Sequence, residues 1–547
     1  MKEVQEMEQA SPAPCLMNEA VYIPYTETGY FSKIVIDYVS QAETLRPFYL
    51  HPPDLNGIRA AIEKRRLFAT NRKVLVEELR KQYSGLSTAK KVEENIELLS
   101  RENTFTITTA HQPNIFSGPL YVVYKILHAV KLAQYLSTEF PESNFVPVYY
   151  MGSEDADLEE LGTITVQGKR YTWDTKQTGA VGRMKVDKSF ITLIEALYAQ
   201  TGVLPFGEKL YNVFNHVYTI GKTIQQATLE LLNALYGEFG LIILIPDNGN
   251  LKKLFEPVVV KELTEQFSHK EVEKTIASLA ENNYKVQAGG RDLNLFYLID
   301  DKRERIEVQD RQFKIHGLDI SFTQEEILSE LKLHPERFSA NVILRGAFQE
   351  TVLPNIAFIG GGGELAYWLE LRNVFNAINV PYPVLLVRNS FLLTNEKQNE
   401  KLNALRLSFM DMFRPEQEML NKIARRESKL PLSLDKEKEQ LKSVYEQMTT
   451  IASNADITLQ NHVKALYTKA SQRIEQLENK ILRAERRKHK DAQEKIRLLK
   501  QTLFPNDNLQ ERVENFSSFY ANYGSDFFNI ILNKSLTLEQ QFGIIDL

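Results

Sequence analysis

One cysteine, Cys15, stands in a chain of 547 residues. A single thiol excludes an intrachain disulfide and any zinc site built on two thiolates. Histidine is sparse at nine, with no H-x-x-x-H spacing, so a zinc-protease helix is excluded too. No G-x-S-x-G elbow occurs. No apolar run approaches the roughly 20 residues that cross a bilayer. The N-terminus lacks the basic and apolar regions of an export signal. Charge of one sign is also missing: 66 Lys and Arg against 71 Asp and Glu leave −5. That balance gives no general attraction to nucleic acid or to an anionic membrane. Together these absences predict a cytoplasmic protein without nucleic-acid or membrane partners.

What is present is globular: 43% hydrophobic and 25% charged. The length predicts two to four structural units. Residues 1–20, with Ser11-Pro12-Ala13-Pro14, read as a tail. Residues 21–396 read as one split α/β core. Its first part is helical, with apolar stripes at Ile58, Ile62 and Leu67 and at Val74, Leu75 and Leu79. Thr104–Thr109 predicts a strand, Ala110 to Asn114 a polar loop, and Leu120 to Leu136 a long apolar helix. Phe145–Met151 predicts a second strand, parallel to the first through a βαβ crossover. Leu241–Ile245, Asn355–Ile359 and Pro383–Val387 read as further buried strands, the last two joined by a helix over Glu364 to Ala377. Insertions fall at about 163–235, opening with a hairpin, and at about 270–335, with strand-like pieces at 284–299 and 304–316.

From 397 to 504 the pattern changes. Leu459, Val463, Leu466, Ala470, Ile474, Leu477, Ile481 and Ala484 follow steps of three or four residues, resuming at Ala492, Ile496, Leu499 and Leu503. A preceding helix, Lys436–Ser453, can fold back on it through a turn at Ser453-Asn454. This predicts an antiparallel coiled-coil arm whose apolar stripe makes a homodimer. The basic run Arg483–Lys490 reads as its solvated face. Residues 505–547 read as a helical segment packing on the core.

Ligands of open α/β sheets bind beyond the carboxyl ends of the strands. Two strand-to-helix turns are therefore the leading site candidates. In the first, His111, Gln112 and Asn114 offer polar side chains before an apolar helix, and Ser117-Gly118-Pro119 makes a tight turn. In the second, Gly360-Gly361-Gly362-Gly363-Glu364 lets the backbone approach a ligand closely. A third turn, at Glu154, Asp155 and Asp157, concentrates acids that need an amine or Mg²⁺ among them. Arg345 and Arg388 suit carboxylate or phosphate.

With these residues in view, the sequence resembles the bacillithiol-biosynthesis proteins of the BshC type from about Tyr22 onward. The resemblance rests on Ser117-Gly118-Pro119-Leu120-Tyr121, Ser153-Glu154-Asp155-Ala156-Asp157, Phe338 to Arg345, and Ala357 to Trp368, which includes Tyr367, in that order. It implies a Rossmann-like, nucleotidyltransferase-like core with a coiled coil, often used to dimerise. It also implies a ligase that joins cysteine to glucosaminyl-malate, with ATP, accompanied by Mg²⁺, as a candidate cofactor. Ala110-His111-Gln112 stands where the family commonly has Gly-Gln-Gln. On this reading His111, Gln112 and Asn114 are catalytic and stabilise charge on a transferred group. Ser117, Gly118, Glu154, Asp155, Asp157, Arg345, Gly360, Gly361, Gly362, Gly363, Glu364, Tyr367 and Arg388 bind substrate, and no resident metal is expected. The alternatives are a non-catalytic coiled-coil scaffold and a nucleotidyltransferase-like enzyme for another small acid.

Overall fold

The computed structural model describes residues 20–547. The expected tail, except Ala20, and Cys15 lie outside the described residues. The described chain divides into two compact units, Ala20–Leu392 with Asn508–Ile545, and Leu393–Asp507 with Asp546–Leu547.

The first unit is built on five strands: β1 (Thr104–His111), β2 (Asn144–Met151), β3 (Ile242–Leu244), β4 (Asn355–Gly360) and β5 (Val384–Val387). Their order is β5-β4-β1-β2-β3, and every pairing is parallel. This is a Rossmann-like doubly wound sheet, with its topological switch between β1 and β4. The strands read as nearly unbroken apolar runs because both faces are covered. Four helices matter here: α1 (Leu55–Arg66), α2 (Tyr121–Glu139), α3 (Val342–Val352) and α4 (Gly362–Glu370). One core cluster joins Phe105, Ile107, Ile359 and Leu386 of the sheet to Leu132 and Leu136 of α2 and to Ile58 and Ile62 of α1.

At the amino end of β4 a charged pair is buried. Arg65 of α1 and Glu350 of α3 meet at 2.5 Å, with side chains 1% and 0% exposed. Arg65 also donates to the carbonyls of Glu350 and Asn355, both at 2.8 Å. Asn355 donates to Glu350 at 2.7 Å and accepts from the Thr108 hydroxyl at 2.8 Å. The expected stripe is corrected here. Arg65, seven residues after Ile58, faces inward, whereas Leu67 lies past the helix end and is 84% exposed.

Several other boundaries differ from the sequence reading. β1 continues through Ala110 and His111, which pair with Tyr150 and Met151. The helix expected over Glu364 to Ala377 is two helices, Gly362–Glu370 and Arg372–Ile378. The first insertion opens with the hairpin Thr163–Val166 and Lys169–Thr172. The second is an antiparallel meander over Leu295–Ile299, Lys302–Gln309 and Gln312–Ile315. Residues 284–294 are not strand, because Gly289-Gly290 interrupts any ladder. The C-terminal segment is not wholly helical: it ends in the strand Phe542–Asp546, antiparallel to Val21–Ile23.

In the second unit α5 (Asp435–Ala455) and α6 (Leu459–Arg486) pack antiparallel, followed by α7 (Lys490–Leu503). Lys438 pairs with Glu478, and the rings of Tyr445 and Tyr467 lie 5.6 Å apart. The turn sits at Asp456–Thr458, where the Asp456 carboxylate accepts from the Thr458 N–H at 2.8 Å, so helix α5 runs on past Ser453-Asn454. The long helix is interrupted at residues 487–489 rather than continuous.

Candidate functional site

A cavity of about 220 Å³ opens at the carboxyl ends of β1, β2 and β4. It lies at the switch point, where the two βα turns diverge and leave a crevice. Nine of the residues singled out in the sequence line it: His111, Gln112, Arg345, Gly361, Gly362, Gly363, Glu364, Tyr367 and Arg388. Ala110, Tyr121, Lys125, Tyr150, Gly152 and Arg512 complete the wall.

Lys125 is the centre of the arrangement. Its side chain is 1% exposed, and its ammonium donates to the Ala110 carbonyl at 2.8 Å and pairs with Glu364. Burial pulls its pKa down, and the Glu364 carboxylate opposes that pull. Glu364 in turn accepts from the Gly361 N–H at 2.8 Å, fixing the start of α4. The next amides, at Gly362 and Gly363, have no acceptor within a helix's first turn and present a partial positive charge. Arg388 is held by Glu511 at 2.7 Å, and its guanidinium stacks 5.0 Å from the Tyr121 ring centre. Arg345 faces Asp155 at 3.5 Å. Arg512 is exposed and has no carboxylate partner among the described residues.

His111 sits among these cations with Nε2 3.3 Å from the Tyr121 hydroxyl. Burial, then Lys125, Arg388 and Arg345, holds its pKa well below the ordinary imidazole value. It is therefore neutral at pH 7 and acts as a hydrogen-bonding group, not as a cation.

Other expected site residues lie elsewhere. Asn114 is buried beneath Gly118, whose added Cβ would come 2.8 Å from the Asn114 Cβ. Phe116, Ser117 and Gly118 all have positive φ, at 49°, 67° and 71°. Asn515 braces this bend by donating to the carbonyls of Phe116 and Gly118 at 2.9 and 2.5 Å. Asn114, Ser117 and Gly118 thus shape a buried turn and do not line the cavity. At the start of α2 the Leu120 N–H donates to the Glu514 carbonyl at 2.7 Å. Gly360 is the buried last residue of β4, its carbonyl accepting from the Arg388 N–H at 2.8 Å.

The acidic turn is also reassigned. Glu154 pairs with Lys252 and accepts from the Ser339 hydroxyl at 3.1 Å. Lys252 bridges to Asp247 at 3.2 Å, which takes the Arg183 guanidinium at 2.6 Å. Asp157 is exposed and caps the short helix Leu158–Leu161. Asp155 accepts from Gln112 at 3.2 Å. Burial pushes the Asp155 pKa up, but Arg345 and Arg303 outweigh it and hold the carboxyl below its usual range. Protein cations thus face Glu154 and Asp155, whereas Asp157 and Asp155 still push the Glu160 pKa up, after burial. No group of three potential metal-ligating side chains occurs among the described residues.

Of the missed residues, Tyr121 and Lys125 had a local signal. They stand four apart on one face of α2, and Lys125 is the lone charge in an apolar stretch. Gly152 had none: a Cβ there would meet the Arg345 guanidinium at 3.2 Å. Arg512 comes from the far end of the chain and could not be placed without the fold.

A doubly wound sheet with a crevice at its switch point is the architecture of an enzyme that binds a small molecule beyond its strand ends. Residues 18–389 match the description "Bacillithiol biosynthesis BshC, N-terminal Rossmann-like domain", and residues 391–547 match "Bacillithiol biosynthesis BshC, C-terminal coiled-coil domain". A protein of Flavobacterium johnsoniae is 40% identical over 96% of this chain and 99% of its own length, and one of Christiangramia forsetii is 40% identical over 96% and 98%. One of Cytophaga hutchinsonii is 38% identical over 91% and 93%. All three are named "Putative cysteine ligase BshC". The chain belongs to the bacillithiol biosynthesis BshC family.

Proposed function

We propose that this protein is a cytoplasmic ligase that joins the carboxyl group of cysteine to the amine of glucosaminyl-malate, completing bacillithiol. The observation that carries the reading is the cavity at the β1/β4 switch, where Lys125, Arg345, Arg388 and Arg512 surround a neutral His111. Its chemistry suits a substrate with two carboxylates, and its relatives are named for cysteine ligation.

The geometry divides the labour. Arg388, Arg512 and the Gly362 and Gly363 amides hold carboxylate or phosphate oxygens. Lys125, buried and fixed by two partners, provides charge where an oxyanion develops, at no cost of reorganisation. His111 receives a proton from the attacking amine. A bound anion cancels part of the cationic field that depresses the imidazole, so its basicity rises when the site is loaded. ATP, when bound, supplies the leaving group that activates the cysteine carboxyl. The cationic lining fits its phosphates, and Mg²⁺ would arrive with the nucleotide. With Cys15 the only cysteine, a zinc–thiolate site for substrate cysteine is not part of the proposal. We also propose a homodimer through the coiled coil, because Leu466 and Leu477 stay 43% and 51% exposed on α6.

Incubation of the full chain with L-cysteine, glucosaminyl-malate and ATP, read by mass spectrometry, tests the reaction. The expected result is the amide product. Normal bacillithiol levels in cells lacking this gene would overturn the proposal.

A further inference from the structure

Beside the main cavity lies a second, smaller chamber of about 10 Å³, and the two share Tyr150, Gly152 and Arg345 as walls. That is room for about one water-sized group. Its remaining surface is partly apolar, from Pro246, Ala340 and Phe348. Ser153 also lines it. The residue is 0% exposed, and its hydroxyl has no hydrogen-bond partner. A buried hydroxyl without a partner costs free energy unless a ligand or water completes it. Of the three charged groups on the chamber wall, Glu154 is engaged by Lys252 and Arg303 by the Ser339 hydroxyl at 3.2 Å, and Arg345 is the third.

Arg345 is a wall of both chamber and cavity, and Asp155 faces it from just outside their linings. At 3.5 Å the Asp155–Arg345 pair is looser than the 2.7 Å Arg388–Glu511 pair, and its side chains are 24% and 28% exposed. An α-amino acid carries an ammonium and a carboxylate on one carbon. Inserted between Asp155 and Arg345, it gives each a new partner and leaves no charge unpaired. The side chain then lies within reach of a chamber that admits one more heavy atom beyond Cβ, with a wall part apolar and part charged and the partnerless Ser153 hydroxyl among its residues.

We propose that this is the amino-acid subsite. Asp155 takes the ammonium, Arg345 the carboxylate, and the Ser153 chamber the thiol. The proposal rests on the ligase reading and adds to it the place and the selectivity for cysteine. Ser153 donates to the sulfur, and the chamber's size excludes branched or longer side chains. The apolar part of the wall, Pro246, Ala340 and Phe348, favours a thiol over a hydroxyl, which loses more hydration on entry.

The test is isothermal titration of the full chain, with and without a non-hydrolysable ATP analogue, using L-cysteine, L-serine, L-valine, N-acetylcysteine and cysteamine. Glucosaminyl-malate is titrated in parallel. The wild type is expected to bind cysteine at least about tenfold more tightly than each of the other four. Ala340→Val is expected to weaken cysteine by about tenfold or more and to leave glucosaminyl-malate unchanged. Ser153→Ala is expected to narrow the preference for cysteine over serine, and its unaltered glucosaminyl-malate affinity reports that the fold is intact. Cysteine binding that Ala340→Val and Ser153→Ala leave untouched, or N-acetylcysteine binding as well as cysteine, would overturn the subsite while sparing the ligase reading. No cysteine binding under any condition would overturn both.

Discussion

A guanidinium with a side chain 1% exposed is tolerable only while its protons are matched, and Arg65 meets that demand with Glu350 and three carbonyls. Burial still draws its pKa down to about 10. Removing Glu350 by Glu350→Ala leaves that charge uncompensated, and a loss of about 3–5 kcal/mol is expected in urea denaturation. Replacing both partners by apolar residues, Arg65→Met with Glu350→Leu, is expected to cost less than the single change. At the site, His111 follows the opposite logic, because its neighbours are cations. Its titration, followed by NMR, is expected to lie well below pH 6.5 in the free protein. Saturating glucosaminyl-malate is expected to move it upward. A midpoint unchanged by the ligand would count against His111 as the proton acceptor.

Helix α2 shows how one element serves both chemistry and folding. Tyr121, Lys125 and His128 fall on one face of a mostly apolar helix. The first two reach the cavity. His128 is buried, with one ring nitrogen 2.7 Å from the Thr537 carbonyl and the other accepting from the Asn389 N–H at 3.2 Å. Burial brings its pKa down to about 4 from 6.5. The folded state therefore resists a proton that the unfolded chain accepts. The contribution is complete above pH 6.5 and is lost as pH falls toward 4, at up to about 3 kcal/mol. Urea midpoints measured from pH 7.5 to 5 are expected to fall for the wild type and to fall less steeply for His128→Gln. The variant is also expected to start lower at pH 7.5, because the Asn389 N–H loses its acceptor. The polar stripe of this helix was legible as spacing, and so were the strands, whose β-branched and apolar runs are diagnostic. The bend at Phe116 and Ser117 was not. Its positive φ depends on Asn515, about 400 residues away, and no local propensity announces it.

At the scale of the whole chain the same limit recurs. The two βα turns could be paired from the sequence because each ends an apolar strand, and the doubly wound order brings His111 and Gly361 together. Partners from distant segments escaped: Glu511 under Arg388, Lys252 under Glu154, and Arg345 against Asp155. The cations that face Glu154 and Asp155 come from distant segments, so the charge pattern of the turn alone could not place them. In the second unit the heptad-like spacing was legible, and the exposure of that stripe is what remains to be used. Val444 and Met448 of α5 and Leu466 and Leu477 of α6 stay 43–51% exposed. Exposed apolar side chains repeated along a helical pair mark a partner face. Light scattering at micromolar concentration is therefore expected to give a mass twice that of the chain. A Leu466→Glu, Leu477→Glu double variant is expected to halve it, with helical circular dichroism preserved because neither side chain is buried in the α5–α6 contact. Ligation activity per chain is expected to survive that change, since the cavity is lined only by residues of the other unit. A wild-type monomer would refute the dimer, and a monomeric but inactive variant would show that assembly reaches the site.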